Sequence, residues 1–309
     1  MKIKIGGARG IYSSPLESWE IENKLRRALN FAKPGDISSP ETIDDFIKKL
    51  PFPLKGTYGG NTPSIKIQTA SGDLIIIDAG SGLINLGQGL MDDNFAEGQG
   101  EANFFITNNN LSYLQGLSFF KPFFVPENRF NIYSVFDDLE KKIRGLLESK
   151  DTKAILNFIK IEEETEFFLN DIKVLVKKMP HPFLSFGIRI ESHDKVFAYT
   201  SEAQFESSNQ LEEFKDFFNE ADLLFFDTLN GFEKISDNFR EGHSTITMGI
   251  DLAKIFQVKK IIFFNHSPDL KDNDLENLLY KAKAYNNLNK NLSRVLNIDL
   301  AAEGMEIII

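Results

Sequence analysis

The residues able to do chemistry sit where apolar runs end. Phe104-Phe105-Ile106 gives way to Thr107 and then to Asn108-Asn109-Asn110, with Ser112 and Tyr113 just beyond. A buried strand running out into a polar turn and then a helix reads this way, and such strand ends are where α/β proteins build their sites. Asp78 and Asp227 each close an apolar run, and Ser201 and Asn265 follow two more. His181 lies between Pro180 and Pro182, and His243 lies in Gly242-His243-Ser244-Thr245. Amides and hydroxyls can donate and accept hydrogen bonds, and imidazoles can move protons. Clustered imidazoles and carboxylates, which a divalent metal needs, are missing from the first turn.

Each of these residues also has a plainer role. His181 fits a hydrogen-bonded structural histidine first and a ligand contact second. His243 either assists a reaction or braces its loop, while Ser244 or Thr245 caps the following helix. Asp78 and Asp227 are expected to support loops through backbone N–H groups. His193 belongs in an exposed turn, and His266 fits more than one role. Asp269, Asp272 and Asp274 favour the start of the next helix; no glycine stands at the sharp turn that a calcium loop requires.

The positioning elements follow from periodicity. Lys2–Ile5 alternates as a half-buried strand and ends in glycines. Ile21, Leu25, Ala28, Leu29 and Ala32 lie at helical spacing up to Pro34-Gly35. Ser39 before Pro40 caps a second helix with Ile43, Phe46 and Leu50 on one face. Strands are expected over 64–69, 73–77, 131–135, 172–176, 185–190, 195–199, 223–226, 260–264, 295–300 and 305–309. Helices are expected from Leu83, after an Asp137 cap, around Leu211–Phe218, over 244–256 and over 275–288. Asp92–Gly100 reads as an exposed loop. Asp151–Phe168 is acidic, without a clear period, and its glutamates read as a solvated face.

A chain of 309 residues with 42% hydrophobic and 26% charged residues can bury a large core. It contains no cysteine, so disulfides and thiolate metal sites are excluded. A net charge of −10 argues against sequence-independent nucleic-acid or anionic-membrane binding. No run reaches the ~18–20 apolar residues of a membrane span, and the start lacks a secretory core. A cytoplasmic protein is expected.

The strings Gly6–Gly10, TYGGNT (57–62), IDAGSG (77–82), GLSFF (116–120), His181-Pro182, GHST (242–245) and AEGMEII (302–308) occur in one order. That order resembles the metallo-β-lactamase superfamily, in particular its phosphodiesterase branch with the tRNA 3′-processing endonucleases. The resemblance implies an α+β, four-layer αββα sandwich forming a single domain over 1–309, with an N-terminal helical insert at about 16–56. It also implies two metal ions, commonly zinc or manganese, that activate water. On the HxHxDH ligand loop, however, the family's ligand positions fall on Asn108, Asn110, Ser112 and Tyr113. His181 matches a family ligand, Ser201 falls on the bridging Asp, and Asn265 on the last His, with His266 one place beyond.

The expectation is therefore a fold whose zinc or manganese has been lost, with no cofactor and a binding, regulatory or scaffolding role. The former metal site, lined by Asn108, Asn110, Ser112, Tyr113, His181, Ser201, His243 and Asn265 and supported by Asp78 and Asp227, would take a small polar or phosphorylated ligand. The rival expectation is a hydrolase of phosphodiesters with an altered ion or with His243 and His181 as acid and base. Self-association, or pairing with an active homologue, completes the set of expected partners.

Overall fold

The computed structural model describes residues 1–205, 208–229, 231–232, 242–288 and 296–309, without the side chains of 208 and 209. Two seven-stranded sheets form its centre. The first carries β1 (Lys2–Gly7), β2 (Ser64–Gln68), β3 (Leu74–Ile77), β4 (Glu101–Phe105), β5 (Arg129–Ser134) and β6 (Ile155–Lys160). The second carries β7 (Glu166–Leu169), β8 (Ile172–Lys178), β9 (Phe186–Ser192), β10 (Lys195–Tyr199), β11 (Leu223–Asp227), β12 (Lys260–Phe264) and β13 (Asn297–Leu300). The last strand, β14 (Glu306–Ile308), returns to the edge of the first sheet beside β1. In each sheet four of the seven strands run parallel, β3-β4-β5-β6 in one and β10-β11-β12-β13 in the other. This is the expected α+β sandwich.

Period-two alternation sorts the strand residues between two cores. Phe105, Tyr199, Phe225 and Phe264 face the space between the sheets. Leu224, Phe226, Ile261 and Phe263 face outward, under a helical layer. Being buried on both faces, β11 and β12 read as continuous apolar runs. The helices are α1 (Ser18–Phe31), α2 (Pro40–Lys49), α3 (Phe52–Lys55), α4 (Leu83–Leu90), α5 (Leu139–Leu147), α6 (Ser208–Leu211), α7 (Lys215–Phe218), α8 (Ile246–Ile255) and α9 (Asp272–Leu288). Ser39 caps α2, its hydroxyl accepting from Thr42 N at 3.3 Å. Among the described residues no helix is long and apolar enough to cross a membrane.

Several local expectations are corrected. The acidic stretch holds two strands, β6 and β7; both lie at sheet edges, where apolar Ile155 and Phe168 remain exposed, so no clean apolar–polar alternation marks them. Asp137 does not cap α5. Asp138 is at the cap without a side-chain capping bond, its carboxylate meeting Lys142 and Asn109 instead, and Asp137 pairs with Lys160 at 2.6 Å. Asn94–Glu97 is a 3₁₀ turn that buries Phe95, so 92–100 is not wholly exposed. The segment after Asn110 forms 3₁₀ turns, because Ala79 N binds Tyr113 O and Gly116 N binds Ala79 O, which tie it to the end of β3. Of the expected strand 295–300, Val295 lies outside the described residues.

Candidate functional site

The candidate site gathers at the carboxyl ends of the parallel strands. Asp78 follows β3, Thr107 and Asn108 follow β4, Ser201 and Glu202 follow β10, Asp227 ends β11, and Asn265 follows β12. Three of these residues turn their backbone into the left-handed region: Asp78 (φ 58°), Ser201 (φ 53°) and Asn265 (φ 61°). Such turns cost energy in non-glycine residues and concentrate at functional sites. The two sheets are joined there by Phe186 N donating to Thr107 O at 3.0 Å.

At the base lies a buried network around Asp78. Its carboxylate accepts from Thr107 N (2.8 Å), Thr107 Oγ1 (2.7 Å) and Tyr199 OH (2.8 Å). Thr107 Oγ1 is also 2.8 Å from Ser201 Oγ. Burial pushes the Asp78 carboxyl up to about 7, against the opposing pull of those hydrogen bonds. Ser201 is thus locked into the support of the loop.

Above it lies Glu202, the one central residue that sequence reasoning missed. Its carboxylate accepts from Asn108 Nδ2 at 2.8 Å and from Tyr113 OH at 3.1 Å, and Oε2 is 3.7 Å from His181 Nε2. The orientation of the Asn108 amide is fixed from both sides. Its Oδ1 accepts from Asn110 N at 2.9 Å, so the N–H end must point at Glu202. Burial raises the Glu202 pKa, with Asp227 nearby acting in the same direction; His243 and the two hydrogen bonds oppose it. A sequence signal did exist: a carboxylate directly follows Ser201 at the end of the apolar run 195–199.

The third group is Asp227. His243 Nδ1 meets its Oδ2 in a short contact, and Asn265 Nδ2 donates to its Oδ1 at 2.9 Å. Backbone N–H groups of Ala203 and Leu229 also reach it, both at 3.3 Å. The loop-supporting role expected of Asp78 and Asp227 is therefore present, joined for Asp227 by the histidine. Burial lowers the His243 pKa, but Asp227 and Glu202 outweigh it, and the net shift is upward. His181 stacks edge-on to His243 with ring centroids 5.6 Å apart. Its Nδ1 lies 3.1 Å from both N and O of Phe183, so that edge belongs to its own loop. Burial depresses its pKa. Two buried atoms here have no hydrogen-bond partner, His181 Nε2 and Asn265 Oδ1.

Asn108, Tyr113, His181, Ser201, His243 and Asn265 therefore share one network with Asp78, Asp227 and Glu202. Asn110 is exposed and contributes only backbone groups, its N–H to Asn108 Oδ1 and its carbonyl to Tyr113 N, and Ser112 is half-buried. His266 is not a shifted replacement for Asn265. It is buried, with Nε2 2.9 Å from Ala301 O, and burial beside Arg9 drives its pKa down to about 3. Thr245 caps α8 through Met248 N at 3.3 Å, while Ser244 ties Ala203 O to Phe205 N. His193 is exposed in its turn. Asp274 accepts from Lys271 N at the start of α9, but Asp272 is buried, bound by Lys24, Thr57 and Tyr58 N. Among the described residues no three His, Asp or Glu side chains converge in an arrangement able to hold a metal ion.

Two sheets of this topology, with a site at their shared strand ends, define the metallo-β-lactamase fold. Solved structures of that fold superpose over essentially the whole chain. The metallo-β-lactamase fold protein YhfI from Bacillus subtilis is 14% identical at a TM-score of 0.64, covering 99% of this chain and 98% of its own. The short form of human tRNase Z is 15% identical at 0.62, covering 100% and 99%. Zn²⁺-bound PqqB from Methylobacterium extorquens is 13% identical at 0.62, covering 100% of both. No protein-family model matches the sequence, and no curated protein matches it. At this level of identity the likeness carries the fold.

Proposed function

We propose that this chain is a binding or regulatory protein that works without the dinuclear metal centre its fold commonly houses. The observation that carries this reading is the polarity of the site wall. Asn108 and Tyr113, at two ligand positions of the fold, present N–H and O–H donors inward, and both are taken up by the Glu202 carboxylate. A wall of donors around an internal anion is the reverse of a cation site, which needs lone pairs and negative charge facing an empty centre. The remaining donor set does not fit two metals. Asp227 is committed to His243 and Asn265, and the carboxylate nearest His181 Nε2, that of Glu202 at 3.7 Å, is taken up by Asn108 and Tyr113.

His181 Nε2 and Asn265 Oδ1 are two buried polar atoms without a hydrogen-bond partner, packed against Gly242 and Gly10 respectively. Glu202 and Asp227 close by disfavour a free phosphate and favour a neutral hydroxyl or amide, or a cationic group. Elemental analysis of the purified protein, a phosphodiester assay with and without added zinc or manganese, and thermal-shift titration with polyols and amines test the reading. Stoichiometric metal with turnover would overturn it. A second reading rests on the neighbouring imidazoles of His181 and His243, which could serve as an acid–base pair in phosphodiester hydrolysis. Chelator-insensitive turnover abolished by His243→Ala would establish that alternative.

A further inference from the structure

Toward the amino ends of the parallel strands, away from the site, three asparagines stand in one row. Asn103 of β4, Asn131 of β5 and Asn157 of β6 are register partners on neighbouring strands. Asn157 Nδ2 donates to Asn131 Oδ1 at 3.0 Å, and Asn131 Nδ2 donates to Asn103 Oδ1 at 3.0 Å. Glu101 sets the direction of this chain, because its carboxylate can only accept and lies 3.5 Å from Asn131 Nδ2. Asn103 therefore turns its oxygen to the row and its Nδ2 away from it. None of the described residues accepts from that Nδ2, although Asn103 is only 6% exposed. Asparagine is a poor strand former, and a buried amide with an open donor is costly. Phe105 and Tyr133 hold the next positions on the same face, their rings stacked 4.9 Å apart, and separate this end from the Asp78 network.

Beside the row lies a groove of about 580 Å³, within the range of small-molecule sites. Two turns, one from each sheet, meet at its edge. Asn170 Nδ2 donates to Asp73 Oδ1 at 2.6 Å, and Ser71 Oγ lies 3.1 Å from Asp171 Oδ1. Half-buried Leu74 and Leu169 supply apolar surface, and the lining holds no Lys, Arg or His. We propose that this groove binds a neutral saccharide unit. Asp73 and Glu101, with no cation in the lining to answer them, repel phosphates, sulfates and sugar acids. A calcium ion finds too few open lone pairs. Asp73 already accepts from Thr69, Ser71 and Asn170, and the Asn103 and Asn131 oxygens are held by neighbouring amides. A simple amine brings only donors and leaves Asn103 Nδ2 without an acceptor. Adjacent hydroxyls of a sugar ring each donate and accept, and so meet the Asn103 donor and the Glu101 acceptor together. The two leucines offer contact to the C–H face of the ring.

The test titrates the full chain with the methyl glycosides of glucose, galactose, mannose and N-acetylglucosamine and follows the side-chain amide NMR resonances. At least one is expected to bind with a Kd of about 1 mM or tighter and to shift the Asn103 and Asn131 amide signals. Glu101→Ala, at an exposed position, should weaken binding about tenfold. Asn103→Asp keeps the acceptor for Asn131 but replaces the free donor with a second acceptor, and should abolish binding. Asn157→Ala shortens the row outside the groove and should leave the affinity unchanged. A row that serves strand register alone would lower the melting temperature in these asparagine variants with no glycoside bound. Absence of binding at about ten times the expected Kd therefore overturns the proposal. So does binding that survives Glu101→Ala and disappears in Glu202→Ala, or calcium chloride that saturates the protein and no longer does so in Glu101→Ala.

Discussion

Removing the Glu202 carboxylate asks whether the donor-lined site is held together from within. In Glu202→Ala, Asn108 Nδ2 and Tyr113 OH both lose their acceptor in a buried setting. Each unpaired buried donor costs about 1–3 kcal/mol, partly offset because a desolvated carboxylate is no longer buried. A net loss of about 2–3 kcal/mol is expected, which in a chain of this size lowers Tm by about 3–5 °C. Glu202→Gln should lose less, since its amide oxygen still accepts from one donor while its NH₂ group opposes the other. A double-mutant cycle with Tyr113→Phe should give a coupling of about 1–2 kcal/mol. Acetate or formate, small anions that suit the vacated donors, should recover part of the lost Tm in Glu202→Ala and leave the parent unchanged. Chemical and thermal unfolding measure all of these. A Glu202→Ala protein as stable as the parent would refute the reasoning. So would a parent whose Tm rises with zinc through a shift that disappears in the variant, since that would make Glu202 a ligand.

Three other outcomes follow from the same geometry. The Asp78 carboxyl, raised from 3.8 to about 7, contributes stability that is fully present below about pH 4 and lost as pH rises through 7. Asp78→Asn should flatten urea-unfolding stability between pH 4.5 and 7.5, with an upper bound of about 4 kcal/mol on the difference. His243, also raised, contributes below its ordinary value of 6.5 and loses that contribution as pH climbs past its folded value. His243→Ala leaves Asp227 buried without its cation and should cost about 3 kcal/mol at pH 6, less at pH 8, by the same unfolding assay. Gly242 has φ 96°, and a Cβ there would come within 2.4 Å of the His181 ring. Gly242→Ala should therefore cost about 1–3 kcal/mol and shift the His181 ring resonances in NMR spectra.

The sequence by itself determined the frame. Apolar runs that break at Asp78, Thr107, Thr200, Asp227 and Asn265 placed the strand ends, and the order of the glycine-rich strings pointed to the two-sheet sandwich. Local rules also reached the Ser39 and Thr245 caps, because a cap depends only on its own turn. The tertiary structure decided what the polar residues do. Asn108 and Tyr113 are 94 and 89 residues from the carboxylate they bind, so nothing local could show that they act as donors to Glu202. Of the two edge strands hidden in the acidic middle, β6 gains its partner from chain 26 residues away while β7 forms a local hairpin with β8, and Asp272 gains Lys24 from distant chain. The outward stripe of α1, where Ile21, Leu25 and Leu29 stay exposed, is the clearest case. Periodicity finds an apolar face equally well whichever way it points, and only docking through Glu20, Lys24 and Arg27 turns that face to solvent.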